Sequence, residues 1–209
     1  MSRFQLGPLY PLTHRGWGPP QRHLEQAQLF LRSGIRFFQV REKDLSDREL
    51  TETLRGVARL AESFGAGWVV NDRPDLALEA GASGVHLGQQ DLPVAAARRL
   101  LGPGSVVGIS THTFEEFQAA CAENVDYIAV GPIFPSSTKA AERQPVGVRR
   151  LSRWRRLTSL PLVAIGGITL QRAPAVWNAG ANAVAVISDI VCQPDPGMQI
   201  RRYLERSGA

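Results

Sequence analysis

Two stretches of nearly the same sequence, Ala80-Gly81-Ala82-Ser83-Gly84-Val85 and Ala179-Gly180-Ala181-Asn182-Ala183-Val184, each follow a helical pattern and open an apolar run. A glycine just after a helical pattern is typical of a left-handed residue that ends the helix. The apolar run after it is typical of a strand buried on both faces. We therefore predict that both stretches are turns from a helix into a strand.

The same alternation of strand and helix patterns runs along the 209 residues. Eight short apolar runs predict strands: Leu9–Thr13, Phe37–Val40, Trp68–Val70, Val85–Leu87, Val106–Ile109, Tyr127–Val130, Leu162–Ile165 and Ala183–Ile187. Amphipathic stretches of helical length separate them. Eight such units predict an α/β fold, a single-domain (β/α)8 TIM barrel over residues 1–209. An open doubly wound sheet is disfavoured, because no G-x-G-x-x-G follows the first strand.

The composition is that of a globular protein with an uneven use of basic residues. The net charge is +5, and of the 24 basic residues only Lys43 and Lys139 are lysines. Because lysine offers a compact ammonium and arginine a planar fork, both lysines are candidate functional groups. Cys121 and Cys192 belong to no Cys or His cluster, which indicates neither zinc nor disulfides. Without a signal peptide or a long apolar run, we expect a cytoplasmic protein with no membrane partner.

One helical pattern carries five arginines: Arg149, Arg150, Arg153, Arg155 and Arg156. Leu151, Trp154 and Leu157 lie between them and predict the buried face of an amphipathic helix. No aromatic platform or recognition motif accompanies the positive charge. We therefore expect a solvated helix surface and no nucleic-acid partner.

The segment after the second predicted strand carries three side chains that donate hydrogen bonds. Barrel enzymes place their chemistry on the residues that follow the strands. Because side chains alternate along a strand, Gln39, Arg41 and Lys43 are predicted to point to one side and Val40 and Glu42 to the other. Three donors at the mouth suit a polyanion. The alternative is an ion-paired strand end, in which Arg41 and Lys43 pair with nearby carboxylates.

Asp72 and Asp91 follow the neighbouring third and fourth strands, so their carboxylates are expected to converge at the mouth. Mg²⁺ is held by one or two protein carboxylates, with phosphate oxygens and water completing its shell. The pair is therefore a candidate magnesium site. The alternatives are that Asp72 pairs with Arg73 or Arg41 and that Asp91 caps the following helix.

The loops after strands six, seven and eight favour a phosphate. Strand six leads into three hydroxyls and a lysine, at Ser136, Ser137, Thr138 and Lys139. Gly166-Gly167 follows strand seven and Ser188 follows strand eight, where barrels commonly bind phosphate through backbone N–H groups. A solvated loop is the alternative for the lysine-bearing segment. His112 is interpreted as a structural or substrate-orienting residue, and His86 as a polar residue with a partner in the barrel wall.

Several motifs in this order closely resemble the thiamine phosphate synthase family, which shares a superfamily with thiazole tautomerases. They run through Q-V-R-E-K-D, V-N-D-R-P-D-L-A-L, G-V-H-L-G-Q-Q-D-L-P, G-I-S-T-H-T, Y-I-A-V-G-P-I-F-P-S-S-T-K, A-I-G-G-I and A-V-I-S. The similarity extends from about Leu9 to Ile190. Where the family usually has an acidic residue, this chain has His14.

The resemblance implies a condensation of 4-amino-2-methyl-5-hydroxymethylpyrimidine diphosphate with thiazole phosphate, which yields thiamine monophosphate and pyrophosphate. It implies that Mg²⁺ is the cofactor and is bound by Asp72 and Asp91. The residues implied to bind the pyrimidine diphosphate are Gln39, Val40, Arg41, Glu42, Lys43, Asn71, Ser110 and Lys139, of which Arg41, Lys43, Ser110 and Lys139 are the expected catalytic residues. Those implied for the thiazole phosphate are Ser136, Ser137, Thr138, Gly167, Ile187 and Ser188.

Two other functions are compatible with the barrel. A thiazole tautomerase is disfavoured, because the carboxylates and both lysines are retained and Pro132 stands where a tautomerase-type histidine is expected. A non-catalytic phosphate-binding barrel would not need the carboxylate pair. The expected partners are the small-molecule substrates, and the sequence is also compatible with a homo-oligomer.

Overall fold

Eight strands alternate with helices in the computed structural model, which describes residues 4, 6–15, 22–135 and 144–208. The strands are β1 (Leu9–Thr13), β2 (Phe37–Val40), β3 (Gly67–Asn71), β4 (Gly84–Leu87), β5 (Val106–Thr111), β6 (Tyr127–Val130), β7 (Leu162–Ile165) and β8 (Ala183–Val186). The helices are α1 (His23–Arg32), α2 (Asp47–Ser63), α3 (Pro74–Glu79), α4 (Val94–Leu101), α5 (Phe114–Ala122), α6 (Gly147–Arg155), α7 (Ala173–Asn178), α8 (Ser188–Val191) and α9 (Pro196–Arg206).

The strands form one closed parallel barrel in chain order. β1 closes the barrel by pairing with β8, with Tyr10 opposite Ala185. Closure leaves no sheet edge unpaired, so every strand can be buried on both faces. The predicted (β/α)8 barrel is confirmed, and each predicted strand lies within two residues of its observed bounds.

Alternation along the strands divides the apolar residues into two layers. Tyr10, Phe37 and Tyr127 belong to the inner layer, where the barrel is filled by side chains that meet across its axis. Phe38 and Val40 belong to the outer layer, which packs against the helices. The barrel is therefore a packed core and not a pore.

The amphipathic helices begin where their sequence patterns predict. Ser46 caps α2 and forms a reciprocal capping box with Glu49, which satisfies two otherwise unpaired N–H groups. In α6, Leu151 and Trp154 are buried as predicted. The prediction for Leu157 is wrong: its side chain is 56% exposed, because α6 ends at Arg155 and Leu157 lies in the turn beyond.

The two repeated turns at Gly81 and Gly180 have the predicted left-handed backbone conformation. Gly81 and Gly180 adopt left-handed φ angles of 66° and 97°. At Gly180 a Cβ atom would also lie 2.5 Å from Cγ of Arg155, so this turn needs glycine for two reasons. In the described part of the chain, no helix is long and apolar enough to span a bilayer.

Candidate active site

The segment after β2 carries the predicted cationic side chains to the mouth of the barrel. Gln39 lies inside, where its Nε2 donates to the hydroxyl of Tyr10 at 3.1 Å. The side chain of Val40 packs in the outer layer, so only its backbone is available to a ligand in the mouth. Burial lowers the pKa of Arg41, while nearby Asp72, Glu42 and Asp44 counteract the shift. Arg41 is thus a partly desolvated guanidinium, suited to binding an anion.

Glu42 is engaged within the protein by a cluster of buried polar groups. Its Oε2 lies 2.7 Å from Nε2 of His23, and Nδ1 of His23 lies 2.7 Å from the hydroxyl of Thr13. The backbone N–H groups of Lys43 and Asp44 both donate to Oε1 at 2.6 Å. Both oxygens therefore have partners, and Glu42 fixes the loop that presents Lys43. Its implied substrate contact stays a prediction that these partners do not favour.

Acid should weaken this cluster in a defined window. Burial raises the pKa of Glu42, but the hydrogen bonds from His23, Asp44 and Lys43 outweigh it and lower the pKa from 4.5 to about 2. Because the folded-state pKa is depressed, the stabilisation is complete above about pH 4.5 and is lost as the pH falls towards 2. We expect Glu42→Gln to cost about 3 kcal/mol at pH 7 and progressively less below pH 4.5, measured by urea unfolding.

The control for that experiment is Glu52→Gln. Glu52 is 64% exposed, and its ion-pair partner within the described residues is Arg48 of the same helix. Its replacement should cost less than about 0.5 kcal/mol at either pH, as is usual for exposed pairs. A Glu42→Gln cost that stays constant from pH 7 to pH 3 would contradict the proposed ionisation.

Asp72 and Asp91 meet at the mouth beside Lys43. Nζ of Lys43 lies 2.9 Å from Oδ2 of Asp72, and the two carboxyl groups are close enough for each to shift the pKa of the other. Burial raises the pKa of Asp72, but the hydrogen bond from Lys43 and the interaction with Asp91 outweigh it and hold the pKa below its usual range. Burial and the neighbouring Asp72 raise the pKa of Asp91. The pair thus concentrates negative charge that attracts a cation.

The alternatives for the two aspartates are decided by their contacts. Arg73 pairs with Asp47 and Asp75 and not with Asp72. Asp91 accepts a hydrogen bond from the backbone N–H of Gly88 at 2.6 Å and does not cap α4. Asp72 has a left-handed φ of 67°, a conformation that non-glycine residues adopt with strain and that is common at functional sites. Lys43 forms an ion pair with Asp72, as that alternative predicted, and its role towards a diphosphate stays a prediction.

Ser110 at the end of β5 is the outer end of a buried hydrogen-bonded chain. Its hydroxyl lies 2.8 Å from Nε2 of His86, and Nδ1 of His86 lies 2.9 Å from the hydroxyl of Tyr127. The hydroxyls of Tyr127 and Tyr10 are 2.8 Å apart, and Gln39 donates to Tyr10. Two implied substrate residues, Gln39 and Ser110, are therefore connected inside the protein.

The sequence patterns do not indicate that Tyr10 and Tyr127 belong to this hydrogen-bonded network. Tyr10 and Tyr127 occupy inward positions of β1 and β6, and both are buried. The available signal was a tyrosine hydroxyl at an inward strand position, since such a group needs a polar partner. Burial raises the pKa of both hydroxyls, so they remain protonated and serve as neutral donors and acceptors.

The loops after β7 and β8 lie side by side across the mouth from the aspartates, since β7 pairs with β8. Gly166 and Gly167 have left-handed φ angles of 97° and 62°. A Cβ atom at Gly167 would lie 2.5 Å from the backbone oxygen of Pro135, so the loops after β6 and β7 are in close contact. Ile187 precedes α8 and Ser188 begins it, at an exposed position.

The short helix α8 is held in place by the residue after Ser188. Oδ2 of Asp189 accepts hydrogen bonds from the backbone of Leu170, from Gln199 and from the hydroxyl of Tyr203, at 3.1, 2.9 and 2.8 Å. Gln199 and Tyr203 belong to α9. Asp189 thus links the loop after β7 and the helix α9 to α8, which carries the candidate phosphate ligand Ser188.

The remaining predicted residues have separate placements. Asn71 ends β3 and is 9% exposed, at the base of the mouth beside Asp72. Nδ1 of His112 lies 2.7 Å from the backbone oxygen of Gly131, which agrees with its structural interpretation. The predicted ligands Ser136, Ser137, Thr138 and Lys139 lie outside the described residues.

Comparison with known proteins gives one consistent family. The family model for thiamine monophosphate synthase matches residues 9–190. A putative thiamine-phosphate synthase of Geobacter sulfurreducens is 42% identical over 196 residues, covering 94% of this chain and 92% of the relative. A thiamine-phosphate synthase of Anaeromyxobacter dehalogenans is 45% identical over 194 residues, covering 93% and 85%.

The fold gives the same result. A thiamine phosphate pyrophosphorylase from Pyrococcus furiosus superposes with a TM-score of 0.85 at 30% identity, over 95% of this chain and 93% of that structure. The sequence and structural matches both extend around the whole barrel, including the loops that carry the candidate site. The chain belongs to the thiamine monophosphate synthase family and is an enzyme of the transferase class.

Proposed function

We propose that this transferase joins the pyrimidine diphosphate to thiazole phosphate with Mg²⁺ as its cofactor, and releases pyrophosphate. The observation that carries the proposal is the division of one barrel mouth into two unlike halves. The loops after β2 to β5 present cations and carboxylates, whereas the loops after β7 and β8 present glycine and serine. Such a mouth offers one site for a metal-bound diphosphate and another for a monophosphate.

Asp72 and Asp91 would hold the magnesium ion. Among the described residues, no group of three or more Asp, Glu, His or Cys could hold a metal. Two carboxylates fit Mg²⁺ when the diphosphate and water supply the other ligands. The ammonium of Lys43 lies 2.9 Å from Asp72, so Lys43 and Mg²⁺ would both lie next to the diphosphate. Bound Mg²⁺ would add positive charge beside the diphosphate.

The residues of the chain then lower the barrier by neutralising and positioning. The bond between the pyrimidine methylene carbon and the diphosphate oxygen breaks, and its electron pair leaves with pyrophosphate. Arg41 and Lys43 neutralise the negative charge that grows on this leaving group. The electron-rich aminopyrimidine stabilises the resulting methylene cation, and the thiazole nitrogen lone pair forms the new bond. The chain needs to supply no nucleophile.

The opposite half would position the second substrate. Backbone N–H groups near Gly167 and Ile187, together with Ser188, would hold the thiazole phosphate, and Asp189 would keep α8 in place for this task. From their sequence alone, Ser136, Ser137 and Thr138 are proposed as further phosphate donors and Lys139 as a further partner of the diphosphate. Holding both substrates in one mouth replaces a bimolecular encounter by an ordered approach.

The direct test measures pyrophosphate release from the purified protein. The assay contains the pyrimidine diphosphate and thiazole phosphate, with omission of each substrate and of Mg²⁺ in turn. We expect release only in the complete mixture, together with an equal amount of thiamine monophosphate. Absence of release from folded protein with intact substrates would refute the proposal. Release without Mg²⁺ after chelation would refute the metal assignment alone.

Ligand binding should also raise the melting temperature. Ligands that bind only the native state stabilise it by RT ln(1 + [L]/Kd), which is about 2.7 kcal/mol at 100 times Kd. We expect Mg²⁺ and pyrophosphate together to raise the melting temperature by several degrees, and more than the sum of the two separate shifts. The reason is that pyrophosphate oxygens complete the coordination of Mg²⁺, and Mg²⁺ in turn neutralises part of the charge of pyrophosphate. Equal shifts with Ca²⁺ and Mg²⁺, or purely additive shifts, would contradict a shared site.

A further inference from the structure

The buried series of hydrogen bonds from Gln39 to Ser110 runs from donor to acceptor in one direction, and the groups at its ends determine which direction that is. Nε2 of Gln39 donates to the hydroxyl oxygen of Tyr10. A hydroxyl carries only one proton, and among the described residues the acceptor left for the proton of Tyr10 is the hydroxyl oxygen of Tyr127, 2.8 Å away. The proton of Tyr127 then points to its remaining partner, Nδ1 of His86. Each group in the sequence accepts from the group before it and donates to the next.

The same donor-to-acceptor order continues through the imidazole ring of His86 to Ser110 at the mouth of the barrel. The ring of His86 is buried, and its two nitrogens have one partner each, Tyr127 and Ser110. A neutral ring whose Nδ1 accepts a hydrogen bond must carry its proton on Nε2. Nε2 therefore donates to the hydroxyl oxygen of Ser110 at 2.8 Å. The proton of Ser110 is left to point away from His86.

We propose that His86 is a positioning residue. It accepts a hydrogen bond from Tyr127 and donates one to Ser110, so that the hydroxyl of Ser110 is left to donate towards the pyrimidine diphosphate. This assignment rests on the proposed function, in which Ser110 contacts that substrate. The backbone of Ser110 is held as well, since Nε2 of Gln89 donates to its backbone oxygen at 2.6 Å. A serine that is already oriented selects ligands with an acceptor at that point and loses little freedom on binding.

The first measurement reads the tautomer of His86 in the protein without substrates. ¹⁵N spectra of histidine-labelled full-length protein at neutral pH distinguish Nδ1–H from Nε2–H, and a His86→Gln sample assigns the signals. We expect the Nε2–H tautomer in the wild type. In Tyr127→Phe, which removes the hydroxyl that donates to Nδ1, we expect the Nδ1–H form to appear alongside it. An Nδ1–H tautomer in the wild type would overturn the proposal.

The second measurement separates a loss of substrate positioning from a general loss of stability. For Tyr127→Phe we expect KM for the pyrimidine diphosphate to rise about tenfold while KM for thiazole phosphate changes little. The melting temperature should fall, because Tyr10 and His86 lose a buried partner. The matched control is Thr111→Val, which deletes a fully buried hydroxyl beside Ser110 that donates to the backbone of Ala129. This control should leave both KM values within about twofold of wild type.

The outcomes are distinguishable from those of the reaction test. The tautomer is a property of the protein alone, so it stands even if the wild type releases no pyrophosphate. Equal rises in both KM values in Tyr127→Phe, or a KM for the pyrimidine diphosphate identical to wild type, would overturn the positioning role while leaving the proposed reaction intact. A tenfold rise in Thr111→Val would equally overturn it, because deletion of any buried hydroxyl would then have the same effect.

Discussion

Asp72→Asn should lower the rate of pyrophosphate release by about 100- to 1,000-fold and leave the protein folded. The substitution removes the negative charge that pairs with Lys43 and that would hold Mg²⁺ together with Asp91. With one carboxylate left, Mg²⁺ binds more weakly, and less positive charge neutralises the departing pyrophosphate. Steady-state rates over a range of Mg²⁺ concentrations should show a higher Mg²⁺ requirement as well as the lower maximum.

Asparagine is the informative replacement because of the backbone. Asp72 has a φ of 67°, which asparagine tolerates better than alanine, so the variant changes charge with little added strain. Asp75→Asn is the matched control: Asp75 is three residues away, 53% exposed and paired with Arg73, which keeps Asp47 as a second partner. Its rate should stay within about twofold of wild type. Wild-type rates in Asp72→Asn would refute the metal assignment.

Gly108→Ala should destabilise the barrel by about 3 kcal/mol or more. A Cβ atom at this position would lie 2.1 Å from Cζ of Tyr127, so the phenol ring would have to move. That ring is fully buried, and its hydroxyl bonds Tyr10 and His86. Movement would therefore combine a steric clash with the loss of buried hydrogen bonds. Urea unfolding monitored by circular dichroism measures the effect.

Gly104→Ala is the corresponding control in the turn before the same strand. A Cβ atom there meets nothing within 4 Å. We expect a change within about 0.5 kcal/mol, as is usual for open surface positions. If Gly108→Ala unfolds at the same urea concentration as this control, the inner layer accommodates the methyl group and the packing argument for Tyr127 fails.

The barrel was predictable because its signals are local and repeated. Eight apolar runs of strand length with helical stretches between them specify closure once the strands are parallel and in order, and the glycines at Gly81 and Gly180 mark the turns. The mouth followed from the same rule, since residues after parallel strands gather at one end. The convergence of Asp72 with Asp91 was predictable for that reason.

The parts that sequence reasoning missed depend on contacts between distant residues. Tyr10 and Tyr127 are separated by 117 positions, and no periodicity indicates that their hydroxyls meet. Alternation correctly turns Glu42 away from Arg41 and Lys43, but no pattern indicates that His23 of α1 is its partner. Leu157 fits the helical period but lies beyond the end of α6. Pattern fixes which face a residue occupies, but partners depend on the folded geometry.

The cluster of Thr13, His23 and Glu42 has a consequence for the order of folding. Its members are 10 and 19 positions apart, whereas closure of the barrel must bring Tyr10 to Ala185. Contacts between near neighbours in the chain lose less loop entropy and form faster than distant ones. During synthesis the loop that presents Lys43 can therefore be shaped by the first quarter of the chain, long before the opposite half of the mouth has left the ribosome.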